Sequence, residues 1–365
     1  MPHRRPRWRW LLAVSVGGGQ IFRSEYKHLP SPMCPTMESS VPIIDFGAFH
    51  TGSFEERSRI GQEVVKAMSE VGFLYIVNHG ISAADQDRMF EWSKAFFELS
   101  EEQKLKCEHP KDGAHHRGWS HVGREKVVQM VFDRTQIEQL RKIPDVKESF
   151  DLGNEETKEL ENFWPDETDI PAFKEYCLYY YKLCTELSKK ILRAIALGMG
   201  LDEHFLTSYH TRSNNQLRLL HYPPTPVEDL KSGKAERIAA HTDFGTFTML
   251  LQDSCGGLQV ESPHNKGHFL PAPYVPGSLV INTGDFLMRW SNDKLKSTLH
   301  RVIAPPVDQD TGMTQARYSI PYFVSADKNE VVDALPGTFS AENPKKYPPI
   351  TSGNYLAMRL NATYT

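Results

Sequence analysis

The fold of this chain is decided by the stretch His241-Thr242-Asp243-Phe244-Gly245-Thr246-Phe247-Thr248-Met249-Leu250-Leu251, in which polar residues introduce a short apolar run. Similar short runs occur through the second half of the chain, at 217–222, 258–260, 278–282, 300–302 and 317–323. Short strands at close spacing are typical of an all-β sandwich or barrel. A double-sheet jelly roll is one such arrangement.

The first half of the chain has a different periodicity. Apolar residues recur at three- and four-residue steps in 54–71, 83–99 and 173–199, which predicts helices there. Ser100 and Gln103 have capping-box spacing and predict the start of another helix. We therefore expect a mainly β fold with flanking helices, the last of them at 354–362.

These changes of periodicity divide the chain into four segments. We expect an extension without stable structure at 1–40, and a helix- and strand-containing segment at 41–200 that packs on the core. The jelly-roll core is predicted at 210–330, and a C-terminal tail with a helix at 331–365.

The overall composition excludes several classes of function. The chain has 365 residues with 42 basic and 46 acidic side chains, a net charge of −4. There is no basic excess to neutralise phosphates, so nucleic acid is not the expected partner. No run approaches the roughly 18 apolar residues of a membrane span. A small molecule remains as the expected partner, and we expect a monomer.

The N-terminus and the cysteines bear on localisation. Five cysteines, with no Cys-x-x-Cys pair, give no disulfide framework and favour a reducing compartment. The cytoplasm is therefore expected. Arg4, Arg5, Arg7 and Arg9 precede a short apolar run, however, and this pattern leaves a mitochondrial transit peptide as the alternative.

Three residues form a candidate metal site. Side chains alternate faces along a strand, so His241 and Asp243 are predicted to project together, with His300 arriving from a partner strand. Two histidines and one carboxylate occupy one face of non-haem Fe(II) and leave other positions open. His-x-Asp alone is a weak signal, since a surface pair has the same spacing; its context in a β-rich region strengthens it.

A candidate carboxylate-binding site follows the third histidine. Arg317 and Ser319 alternate onto one face of a predicted strand, and a guanidinium with a nearby hydroxyl suits a carboxylate. Tyr222 is a candidate third contact. Arg289 also begins an Arg-x-Ser triplet, but it lies in a charged, turn-like stretch, so Arg317 is preferred.

The substrate-facing residues are less clearly marked. The stretch 115–119 is the best candidate for a substrate-facing loop, because binding residues concentrate on loops. The candidates for lining the pocket are Arg117, Trp119, Phe247, Phe286 and Phe323.

Several motifs stand together in an order that resembles a known family. They lie at 41–46, 72–80, 147–151, 241–243, 256–260, 282–285, 299–302 and 317–323. With these motifs the chain resembles the Fe(II)/2-oxoglutarate-dependent dioxygenases of the isopenicillin-N-synthase-like group, over about 41–363. Its overall texture is similar to that of fungal members in specialised metabolism. One departure is Leu220, where many plant relatives carry Asn.

The resemblance implies a double-stranded β-helix and a set of roles. Fe(II) would be held by His241, Asp243 and His300, and 2-oxoglutarate by Arg317 and Ser319. With O2 as the other co-substrate, 2-oxoglutarate would yield succinate and CO2. The small organic substrate would be hydroxylated, desaturated or cyclised, and ascorbate is expected to support activity.

Two alternatives remain open at this point. An oxidase of the same fold would use no 2-oxo acid, and its Arg-x-Ser pair would hold the substrate's own carboxylate. A non-catalytic small-molecule-binding relative would keep the fold alone; the intact set of three ligands argues against it.

Overall fold

An eight-stranded sheet is the largest element of the structure. The computed structural model describes residues 41–110, 116–125, 143, 145–156, 160–232, 234, 236–304 and 311–364. The extension predicted at 1–40 lies outside these residues. A four-stranded sheet and a pair of short strands accompany it.

The strands are β1 (Ile43–Asp45), β2 (Phe73–Val77), β3 (Gly118–Ser120), β4 (Glu148–Gly153), β5 (Gln216–Tyr222), β6 (Ile238–His241), β7 (Phe247–Gln252), β8 (Leu258–Glu261), β9 (Phe269–Pro271), β10 (Leu279–Thr283), β11 (His300–Val302), β12 (Arg317–Val324), β13 (Val331–Val332) and β14 (Ile350–Thr351). The helices are α1 (Gly47–Thr51), α2 (Phe54–Glu70), α3 (Ala83–Phe97), α4 (Glu101–Leu105), α5 (Phe173–Gly198), α6 (Val227–Lys231), α7 (Asp285–Trp290) and α8 (Ser352–Tyr364). The large sheet has the strand order β1-β2-β10-β7-β12-β5-β4-β3. The small sheet has the order β6-β11-β8-β9, and β13 pairs with β14. The predicted mainly β fold with flanking helices is confirmed.

The predicted helices end within one or two residues of the observed ones in α2, α3 and α5. Local signals explain this accuracy. Ser53 caps α2 in a capping box with Glu56, and Ser100 caps α4 with Gln103, as its spacing predicted. None of the helices in the described ranges combines the length and apolar composition that a membrane crossing needs.

Helix α5 lies on the face of the large sheet that points away from the small sheet. Its Thr185 hydroxyl is hydrogen-bonded to the Tyr322 hydroxyl of β12 at 2.7 Å. Helix α2 packs on α5 where Gly61 meets Gly198; a Cβ on Gly198 would lie 2.0 Å from the Gly61 carbonyl oxygen. The two glycines therefore set how closely these helices approach.

The alternation of side chains along β12 separates a hydrophobic core from a cavity. Ile320, Tyr322 and Val324 belong to the core beneath α5. The residues between them face the other way, into a cavity of about 200 Å³ that both sheets line. From β12 these residues are Arg317, Ser319, Pro321 and Phe323.

The stretch 109–170 shows no periodicity in the sequence, yet it contains β3 and β4. Every residue of β4 is buried, including Glu148 and Asp151, so its pattern does not alternate. These carboxylates are instead held in ion pairs with Lys104 and Arg218. A strand buried on both faces with paired charges has no sequence signature of the usual kind.

Candidate active site

His241, Asp243 and His300 meet at the edge of the cavity. His241 ends β6 and His300 begins β11, and the two are paired across these antiparallel strands. Asp243 lies two residues past the end of β6, in the turn before β7, rather than on the strand as predicted. The potential ligand atoms of the three residues lie within 4.8 Å of one another.

Hydrogen bonds orient the two imidazoles toward the carboxylate. Nδ1 of His241 lies 2.9 Å from the Ala239 carbonyl oxygen, and Nδ1 of His300 lies 3.3 Å from that of Thr298. A carbonyl only accepts, so each Nδ1 is assigned the hydrogen and each Nε2 keeps a lone pair. The two Nε2 atoms lie 3.8 and 3.7 Å from Oδ1 of Asp243.

The Asp243 carboxylate is held from its other side. Its Oδ2 accepts hydrogen bonds from the Thr248 hydroxyl at 2.5 Å and from Nδ2 of Asn282 at 2.7 Å. Two imidazole nitrogens and one carboxylate oxygen thus converge with lone pairs directed at a common space. This donor set fits a divalent iron with open positions, and such supporting hydrogen bonds orient metal ligands.

Burial controls the protonation of these groups. It lowers the pKa of His241 to about 3, with the neighbouring His300 adding to the effect. Burial alone would raise the pKa of Asp243, but the two imidazoles and the hydrogen bonds from Asn282 and Thr248 lower it overall. A neutral imidazole beside an ionised carboxylate is the ligand-competent combination.

Arg317, Ser319 and Tyr222 form a second group in the same cavity. Arg317 is paired with Tyr222 across β12 and β5, and its guanidinium carbon lies 5.0 Å from the centre of the tyrosine ring. Its Nε donates to the Gly256 carbonyl oxygen and its Nη1 to the Ser319 hydroxyl. Arg317 is only 1% exposed, and among the described residues no carboxylate lies within 4 Å of it.

Arg289, the other arginine of an Arg-x-Ser triplet, is placed elsewhere. It lies in α7, donates to the Pro348 carbonyl oxygen and stacks on the Tyr347 ring at 4.7 Å. It is not among the residues that line the cavity. The geometry therefore separates the two triplets: Arg317 lines the cavity and Arg289 does not.

Two of the five candidate substrate residues, Arg117 and Phe323, line the cavity. Trp119, Phe247 and Phe286 do not; they lie in the hydrophobic core, which corrects their predicted placement in the pocket. Phe247 lies on β7, whose Thr248 and Leu250 face the cavity, so alternation turns Phe247 to the other side. The indole nitrogen of Trp119 donates to Glu148, and Phe286 packs against Trp290 and Tyr355.

Sequence reasoning missed several residues of the cavity. Thr248 belongs to no recognisable motif. Its hydrogen bond to Asp243 forms because the connection between β6 and β7 brings the two side chains together. Gln216 and Arg218 also line the cavity, on the face of β5 that carries Leu220 and Tyr222. Polar residues at every second position of an otherwise apolar strand were the available signal for them.

Family models match two parts of the chain. Residues 41–167 match the family described as the N-terminal region of a non-haem dioxygenase in morphine synthesis, and residues 213–326 match the 2OG-Fe(II) oxygenase superfamily. A 2-oxoglutarate-Fe(II) type oxidoreductase, ppzD, from Metarhizium rileyi is 36% identical, over 91% of this chain and 94% of its own. The proline hydroxylase buaE from Petromyces alliaceus is 39% identical, over 89% and 99% respectively.

A solved structure also aligns over most of the chain. It is a full-length Neurospora crassa protein in complex with alpha-KG and thymine, 39% identical with a TM-score of 0.80, covering 88% of this chain and 96% of that one. The predicted family and the jelly-roll core are thereby confirmed. The chain belongs to the 2OG-Fe(II) oxygenase superfamily and is a 2-oxoglutarate-dependent oxidoreductase that uses Fe(II).

Proposed function

We propose that this chain hydroxylates a small organic molecule of specialised metabolism, with His241, Asp243 and His300 as the ligands of Fe(II). The observation that carries this proposal is the convergence of three lone-pair donors in a cavity that also holds the buried Arg317 guanidinium, which has no carboxylate of the described residues within 4 Å. The relatives support it, since several are fungal 2-oxoglutarate-dependent dioxygenases and one is named a hydroxylase.

Arg317, Ser319 and Tyr222 would hold the co-substrate. The Arg317 guanidinium would receive the far carboxylate of 2-oxoglutarate in fork geometry, and the Ser319 hydroxyl would add a hydrogen bond. Stacking on Tyr222 fixes the plane of the guanidinium. Burying an unpaired charge is unfavourable in free energy, and a bound carboxylate would offset this penalty at Arg317.

Fe(II) held by His241, Asp243 and His300 would supply the activation of O2, coupled to oxidative decarboxylation of 2-oxoglutarate to succinate and CO2. The chain's own contribution is positioning and exclusion of water. Hydrogen bonds to both imidazoles and to the carboxylate keep three donors on one side of the site. Apolar side chains from both sheets, namely Leu220, Leu250, Ile238, Leu258 and Val302, line the space between.

The proposal extends to the domain organisation, the oligomeric state and the localisation of the chain. We propose that the segment 41–200 supports the oxygenase core at 210–330, because β2 and β4 join the same sheet as β5 and β10. A monomeric, cytoplasmic enzyme is the expected form.

The deciding experiment measures succinate and O2 uptake together. The protein is incubated with Fe(II), 2-oxoglutarate, ascorbate and a metabolite extract, and products are searched by mass spectrometry for a gained oxygen atom or a loss of two hydrogens. Oxidation of a substrate without any 2-oxo acid would refute the proposal in favour of an oxidase. Thymine is included as a defined substrate, because the Neurospora crassa protein was solved with it bound.

A further inference from the structure

The register of the large sheet locates a second end of the cavity. Thr248, Phe323, Gln216 and Gly153 are cross-strand neighbours in one row over β7, β12, β5 and β4. Neighbouring strands lie ~4.8 Å apart, so this row spans roughly 14 Å. Thr248, bonded to Asp243, marks the proposed metal end. Gly153 marks the other end.

Arg117 occupies this far end. A Cβ on Gly153 would lie 2.0 Å from Nη2 of Arg117, so the guanidinium fills the space that a side chain would take there. Arg117 is 7% exposed and lines the cavity. Its Nη1 donates to the His116 carbonyl oxygen at 2.6 Å, and its Nε is buried without a hydrogen-bond partner.

The neighbouring carboxylates are engaged by other cations. Asp151 accepts from Nε of Arg218 at 2.6 Å, from its Nη2 at 2.9 Å and from Gln216 at 2.6 Å. Glu125 lies 2.6 Å from Lys147 and 3.0 Å from Arg218. Among the described residues Arg117 has no carboxylate within 4 Å. Among the described residues, these five charged groups therefore carry one net positive charge at this end.

Two further facts favour an anionic ligand at this end of the cavity. Burial lowers the pKa of Arg117, and the nearby Asp151 carboxylate only partly offsets this effect. Asn214, two residues before Gln216, also lines the cavity, and its amide nitrogen is buried without a hydrogen-bond partner. Buried donors in native proteins are normally satisfied, so both groups are suited to an acceptor that arrives with a ligand.

We propose that the molecule oxidised by this enzyme carries a carboxylate, and that Arg117 binds it at the end of the cavity opposite to the metal ligands. The proposal rests on the proposed function and names the substrate class. A planar guanidinium binds a carboxylate through two parallel hydrogen bonds, and Asn214 offers one more donor. The rest of the substrate would then extend past Gln216 and Phe323, which places the carbon to be oxidised near Asp243.

This carboxylate site is distinct from that of the co-substrate. Arg317 lies six residues from Phe323 along β12, roughly 20 Å at 3.3 Å per residue. The cavity thus holds two buried guanidiniums at separate ends, neither of them within 4 Å of a carboxylate in the described part of the chain, one for each of two acids.

Matched acids and amides test the proposal. The full chain, loaded with Fe(II) and 2-oxoglutarate under nitrogen, is titrated by calorimetry with benzoate and benzamide, cyclohexanecarboxylate and its amide, and L-proline and L-prolinamide. We expect at least one acid to bind ten times more tightly than its amide. In Arg117→Gln this preference should fall below threefold, while Arg59→Gln, at an exposed surface pair, should keep it.

The outcomes separate the two proposals. If no acid is preferred by the wild type, or if Arg117→Gln keeps the preference, the carboxylate assignment is overturned. It is also overturned if Arg117→Gln weakens 2-oxoglutarate binding instead. Failure of the wild type to bind 2-oxoglutarate would overturn the proposed function. Arg117→Lys, which keeps the charge and most of the buried stem, replaces Arg117→Gln if the latter does not fold; it should lose part of the preference.

Discussion

Thr248 of β7 donates its hydroxyl hydrogen to Asp243 over 2.5 Å, so the large sheet holds a carboxylate that follows a strand of the small sheet. Asn282 of β10 does the same at 2.7 Å. The geometry of the proposed metal site therefore depends on how the two sheets pack, and not only on the residues that would touch the metal.

Thr248→Val should weaken Fe(II) binding by roughly 10- to 100-fold, because such supporting hydrogen bonds orient ligands. Valine keeps the shape of threonine and removes the donor. The measurement is an anaerobic Fe(II) titration, with melting temperature recorded alongside. Thr168→Val removes a hydroxyl that donates to Asp166 on the surface and should leave Fe(II) affinity unchanged. Equal affinity in wild type and Thr248→Val would rule out this positioning role.

Asp243→Ala should abolish succinate formation, since it removes the anionic member of the proposed ligand set. Asp253→Ala is a useful comparison: this carboxylate accepts from the backbone of Tyr318 and Cys255, outside the ligand set. Both variants are assayed for succinate and for bound iron. Retained turnover in Asp243→Ala would contradict the assignment of the ligand.

Arg317→Lys should raise the apparent KM for 2-oxoglutarate roughly tenfold, because a charge-assisted hydrogen bond is worth ~1.5 kcal/mol or more and a point charge cannot replace the fork. Steady-state kinetics with varied 2-oxoglutarate measure this change. Arg289→Lys, in the other Arg-x-Ser triplet, serves as control and should leave KM unchanged. The reverse result would move the co-substrate site to Arg289.

The buried His210 predicts a pH dependence of stability. Burial lowers its pKa to about 4 from 6.5, so below pH 6.5 the unfolded chain binds a proton that the folded chain does not. The free energy of unfolding should fall between pH 6.5 and 4, by about 3 kcal/mol from this group. Denaturant unfolding across this range should show a shallower decline in His210→Asn than in the wild type. The exposed His264→Asn should follow the wild type, and a parallel His210→Asn curve would disprove the prediction.

Gly61→Ala should destabilise the fold by roughly 1–3 kcal/mol, as expected for overpacking. Its Cβ would lie 2.5 Å from the Ala194 carbonyl oxygen, so α2 and α5 would have to move apart. Lys66→Ala, on the exposed face of α2, is the control. Chemical denaturation gives both values; a Gly61→Ala variant as stable as the wild type would show that the helices adjust without cost.

Some features of the site could be predicted from sequence because they follow from short-range rules. The alternation of Arg317 and Ser319 on one strand is of this kind, whereas Asp243 reaches its place from the connection after β6. The side of β7 on which Phe247 lies could not be predicted, since it depends on how the turn after Asp243 enters the strand. A slip of one residue exchanges the two faces.

The charged end of the cavity is a second feature that could not be predicted from the sequence. Glu125, Lys147 and Asp151 are far apart in sequence from Arg218, which joins two of them. The register of β4 against β5 places Asp151 opposite Arg218, and Glu125 reaches Arg218 from the residues that follow β3. In the sequence these residues resemble ordinary surface charges, whereas in the structure all four are paired, and Glu125, Lys147 and Asp151 are buried.

The row from Thr248 to Gly153 also bears on how such an enzyme diversifies. Gly153, Gln216 and Phe323 lie outside the proposed ligand and co-substrate sets, yet they border the far end of the cavity. Substitutions there can change which molecule is accepted while the oxygen-activating machinery stays intact. Selection or laboratory evolution acting on this one row of the sheet would therefore separate substrate choice from chemistry.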